Sequence, residues 1–115
     1  MNHKTSVAYG YMRVFCDVTS QQVLAMEARI HRFAQVERLQ LVSIYNEFVN
    51  GDQSVFNDLV TEVKRASAEV VIVPSLRHFS RNGLLQSLML SRLEDAAGVE
   101  VLTLKEDGAD REVPQ

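Results

Sequence analysis

EVVIVPSL, residues 69–76, decides how this chain folds. Val70 to Val73 form an unbroken β-branched run with no polar residue between them. A strand with one wet face alternates apolar and polar residues. A strand without alternation is covered on both faces, as in a parallel sheet clad by helices. Pro74 ends the run, because its ring removes a backbone donor. RHFSRN (77–82) then reads as a cationic loop, and Asn82 as the N-cap of a helix. Leu84, Leu85, Leu88, Met89, Leu93 and Ala96 carry that helix to Ala97, and Gly98 stops it.

The same alternation of elements extends in both directions. SVAYGYMRV (6–14) predicts a strand over 7–14, followed by the turn-like DVTS. Thr19 or Ser20 caps a helix whose Val23, Met26, Ile30, Phe33 and Ala34 recur at helical spacing. LQLVSIYNEF (39–48) reads as a strand of imperfect alternation. FVNGDQS (48–54) is a loop by its Asn-Gly-Asp chemistry. A helix from Ser54 to Ser67 presents Phe56, Leu59, Val60 and Val63 on one face. VEVLTL (99–104) is the fourth strand. The order β-α-β-α-β-α-β predicts a three-layer α/β sandwich with a mostly parallel sheet of four to five strands. Residues 7–104 make the domain. Residues 1–6 are expected to be a flexible N-terminus and 105–115 a polar, acidic tail.

Composition narrows the function. The chain has 115 residues and a net charge of −3, which argues against coating nucleic acid by bulk charge but permits a local basic patch. One cysteine allows no internal disulfide and fits a reduced, cytoplasmic setting. No apolar run approaches the roughly 20 residues of a membrane helix, and MNHKTS lacks the apolar core of a signal peptide. His3 and His31 form no recognisable metal-ligand spacing, so neither a metal nor another cofactor is expected.

In parallel sheets, ligands bind beyond the carboxyl ends of the strands. That rule selects the loop after the first strand and the loop after the third. Together they hold Arg13, Arg77, His78 and Arg81. An arginine fork matches phosphate oxygens bidentately, so this edge is a candidate phosphate site. His78 adds an imidazole that is cationic part of the time near neutral pH.

These residues also carry a family pattern. Tyr11-Met12-Arg13-Val14-Phe15-Cys16 stands where the serine site-specific recombinases, the resolvase/invertase family, have roughly Y-x-R-V-S-T. Leu76-Arg77-His78-Phe79-Ser80-Arg81-Asn82 stands where they have L-D-R-L-S-R-N. Leu39, Leu41, Tyr45 and Gly51 follow the family's G-x-x-L-x-x-x-Y-x-D-x-x-S-G stretch more loosely. Residues 7–104 thus resemble the N-terminal catalytic domain of that family. The resemblance implies a role in DNA strand exchange. In the family a serine attacks a DNA phosphodiester while arginines stabilise the developing charge.

Position by position, the resemblance implies a degenerate site. Arg13 and Arg81 match family arginines. Phe15 replaces the nucleophilic serine and has no attacking atom. Arg77 replaces the aspartate, His78 replaces the neighbouring arginine, and Gln53 falls where a further arginine is expected. Cys16 is the adjacent alternative nucleophile, but strand alternation points it elsewhere. Ser75 and Ser80 suit turn and cap roles. Three readings follow. The first is an inactive recombinase-like domain that acts through DNA phosphates or through a protein partner, itself or another recombinase, on the apolar helix 83–97. The second is an active enzyme with a non-standard nucleophile. The third is a phosphate or nucleotide sensor.

Overall fold

The computed structural model describes residues 6–48 and 53–104. The predicted acidic tail, residues 1–5 of the predicted N-terminus and the Asn-Gly-Asp turn lie outside them. The elements are β1 (Ser6–Val14), α1 (Ser20–Val36), β2 (Leu39–Phe48), α2 (Ser54–Ala66), β3 (Val70–Val73), α3 (Gly83–Ser91) and β4 (Glu100–Thr103). The strands form one parallel sheet in the order β2-β1-β3-β4. Ser6, assigned above to the flexible N-terminus, begins β1 and pairs with Leu39.

Val70–Val73 is buried throughout. Its side chains divide between the two faces, as two-residue periodicity requires. On one face Tyr9, Tyr11, Val71 and Val73 pack with Phe56, Leu59 and Val63 of α2 and with Met89 of α3. On the other, Ala8, Met12, Val14, Val70 and Ile72 pack with Ile30 and Ala34 of α1. One helix therefore covers one face and two cover the other, giving the three layers predicted. Gly10 sits under α1. A Cβ there would lie 3.0 Å from Ile44 Cγ1 and 3.2 Å from Ile30 Cγ2, so a side chain would push the helix away.

The imperfect alternation of β2 has a structural cause. Its pairing with β1 shifts register between Ala8 and Tyr9, which face Leu41 and Ser43. Val42 is the extra residue of a β-bulge and is exposed. Before it, Leu39 and Leu41 face the α1 side. After it, Ile44 does, while Tyr45 packs on the α2 side.

Helix ends follow the sequence signals. Thr19 caps α1 in a reciprocal box with Gln22. Asn82 Oδ1 accepts from the Leu85 N–H and caps α3. The predicted helix to Ala97 is not uniform. After Ser91 it widens into a π turn over Arg92–Ala96, where Ala97 N–H donates to Arg92 O. Gly98, at φ 72°, then reverses the chain into β4.

Candidate functional site: a cationic sheet edge

The carboxyl ends of β1 and β3 bring all four predicted site residues together. Beyond Ser75 the chain makes a 3₁₀ turn over Leu76–His78. Arg13 fastens that turn to β1. Its backbone N–H donates to His78 Nδ1 at 3.0 Å, its Nε donates to His78 O at 3.2 Å, and its Nη2 donates to Phe79 O at 3.1 Å. Arg13 thus spends much of its fork on backbone carbonyls.

His78 is not the partial cation that the sequence suggests. Burial, reinforced by the nearby Arg13 and Arg77 charges, lowers its pKa to about 4. Its Nδ1 lone pair is occupied by the Arg13 N–H, so the neutral ring carries its proton on Nε2. At neutral pH it can donate a hydrogen bond from Nε2, but it has no free lone pair with which to take a proton.

Phe15 is half-buried in the centre of this edge. The Arg81 guanidinium lies over its ring, 4.7 Å from the centroid, within cation–π range. The His78 ring meets it edge-on at 6.4 Å. Phe15, Ser75, Arg77, His78 and Arg81 line a small cavity of about 160 Å³. Arg77 and Arg81 are exposed and form no ion pair or hydrogen bond among the described residues. A phosphate-sized anion has two unpaired guanidiniums and a neutral N–H donor available there. Ser75 is the only hydroxyl in the cavity wall, and His78 cannot act as its base.

Cys16 lies outside this arrangement. It is exposed in the turn closed by the Val18 N–H to Phe15 O hydrogen bond, and it is not in the wall of the cavity that Arg77 and Arg81 line. Ser80 has a local role, its Oγ accepting from the Asn82 N–H. A second, larger cavity of about 370 Å³ adjoins on the α1 side, with Phe15 and His78 in both walls.

One residue near the site escaped the sequence reading. Glu47 is 1 % exposed. Its carboxylate accepts from Tyr11 OH at 2.7 Å and from the Val55 and Phe56 N–H groups at 3.0 and 2.9 Å. It therefore caps α2 from the end of β2, where Gln53 makes no side-chain cap. Burial, and then the hydrogen bond to Glu47, push the Tyr11 pKa far upward. Setting Tyr45 on the tyrosine of the Y-x-D pattern would have placed Glu47 on its acid.

The family model described as the resolvase N-terminal domain matches residues 8–115. The chain belongs to the resolvase family of serine recombinases. No curated protein matches the sequence. Three solved structures show how the recombinase fold is shared. The N-terminal catalytic domain of TP901-1 integrase has a TM-score of 0.71 at 14 % identity, over 86 % of this chain and 77 % of that one. A resolvase-family site-specific recombinase from Streptococcus pneumoniae has a TM-score of 0.68 at 23 % identity, over 87 % and 72 %. The C-terminal catalytic domain of ISC1926 TnpA, an IS607-like serine recombinase, has a TM-score of 0.57 at 21 % identity, over 90 % and 73 %. Among the described residues of this recombinase domain no helix is long and apolar enough to cross a membrane.

Proposed function

We propose that this recombinase-family domain holds DNA phosphate without cleaving it. The observation that carries this reading is Phe15. Its ring packs between Arg81 and His78, at the position where the sequence resemblance sets the family's nucleophile. Arg77 and Arg81 beside it have no ion pair among the described residues, so the supported chemistry is binding, and the supported role is that of a non-cleaving accessory to DNA recombination. The neutral Nε2–H tautomer of His78 supports the same reading, since it offers no base to activate Ser75. Family membership supports DNA as the source of the phosphate.

The test is a covalent-trapping assay. Purified protein is incubated with mixed genomic duplex and resolved on a denaturing gel. The expected result is no protein–DNA adduct, for wild type and for Cys16→Ala alike. An adduct that disappears in Cys16→Ala or Ser75→Ala would identify an active enzyme with a non-standard nucleophile. The sensor reading has its own check, since a nucleotide at 100 times its dissociation constant would raise stability by about 2.7 kcal/mol.

A protein partner is proposed on α3. Met89 faces the core, while Leu84 and Leu88, one turn apart, are 73 % and 55 % exposed. That exposed pair supports self-association or pairing with another recombinase.

A further inference from the structure

The larger cavity is not explained by phosphate binding. Met12, Phe15, Val18, Ala25 and Met26 give it a mostly carbon wall. Its volume of about 370 Å³ falls in the range of small-molecule sites. Its polar groups are Arg13 and His78 at the end of β1 and Gln22 and Arg29 on α1, and His78 and Phe15 are shared with the cationic cavity. An apolar compartment of this size beside two unpaired guanidiniums matches a ligand that is flat and apolar at one end and anionic at the other. A nucleotide has that division. In a duplex the base is stacked and paired, so only an unpaired nucleotide can place its base in one compartment and its phosphate in the other.

Resting on the phosphate-binding reading above, we propose that the Met12–Met26 cavity receives the unpaired base of a DNA nucleotide whose phosphate is held by Arg77 and Arg81, so that the domain prefers single strands to duplex. Phe15 is the shared wall. It carries Arg81 in the cationic compartment and offers aromatic surface to the apolar one.

The experiment is fluorescence anisotropy with the full chain and one labelled mixed-sequence oligonucleotide, used alone and annealed to its complement. Ala25 is exposed on α1 and lines the cavity, so Ala25→Phe fills the space without entering the core, and Ala25→Leu is the milder second variant. Wild type is expected to bind the single strand roughly tenfold more tightly than the duplex, as loss of one stacked base would suggest. Ala25→Phe should remove that preference and leave duplex affinity unchanged, with Ala25→Leu between. Arg81→Ala should weaken both. Equal affinity for both forms, or a preference that survives Ala25→Phe in a variant of normal melting temperature, overturns this inference and leaves phosphate binding standing. Tight capture of a free nucleoside monophosphate without single-strand preference also overturns it. Binding to neither form overturns the phosphate reading itself.

Discussion

His78 connects the site to its fold through one proton. Its pKa of about 4 lies below the ordinary histidine value of 6.5, so the unfolded chain takes up a proton first as pH falls. Stability from this group is complete above pH 6.5, declines as pH falls toward 4, and levels off below that. The span is worth at most roughly 3 kcal/mol. Protonation would also put a hydrogen on Nδ1, where the Arg13 N–H now donates. Thermal melts at pH 7 and pH 5 should show wild type losing more stability than His78→Gln; equal losses would contradict the assignment. Phe15 makes the second claim at this scale. Under the proposed alignment, Phe15→Ser returns the family's serine and is expected to yield no DNA adduct, because that alignment sets Arg77 and His78 where the family has an aspartate and an arginine. Appearance of an adduct in this single variant would show that the nucleophile alone is missing. The identities of these residues were legible in the sequence, and the rule that ligands bind beyond the carboxyl ends of parallel strands placed their loops at one edge. The charge state of His78 was not, because it depends on burial and on a hydrogen bond from a residue 65 positions away.

Among the elements, β3 and β1 were legible because four consecutive β-branched residues and an aromatic-rich run have no helical reading. The α2 helix was legible by its single apolar face. The bulge in β2 was hidden, since one inserted residue at Val42 makes a true strand look like failed alternation. The π turn after α3 was also hidden, as leucine periodicity does not distinguish a helix that widens by one residue per turn. Glu47 shows what β2 and α2 owe to each other. Without its carboxylate, Tyr11 OH and two helix N–H groups lose their acceptor in a buried setting. Glu47→Ala should cost about 3 kcal/mol, with a fall in Tm of roughly 10 °C. A change of less than about 1 kcal/mol would mean that the cap is replaced by water.

At the scale of the whole molecule, an acidic chain places two arginines, Arg77 and Arg81, without an ion pair among the described residues beside one cavity at a sheet edge. Bulk charge of −3 opposes DNA, so any affinity must be local, and the proposal places it at that edge. The exposed Leu84 and Leu88 lie elsewhere, on α3. If they pair copies of the domain, sedimentation should show a dimer that dissociates in Leu84→Lys/Leu88→Lys, and a monomer at all concentrations would contradict self-pairing. The layer order and strand direction were legible from β-α alternation, whereas the adjoining cavities were not, because they arise between Phe15, α1 and the 3₁₀ turn after packing. The central claim is that Arg77 and Arg81 still hold DNA phosphate. Its most direct measurement is a fluorescence titration of genomic duplex at ~50 and ~200 mM salt, with wild type and Arg77→Ala/Arg81→Ala. The account predicts saturable binding by wild type, weakened roughly tenfold by the added salt as two phosphate contacts require, and lost in the double variant. Absence of binding at the lower salt, or binding unchanged in the double variant, would contradict it.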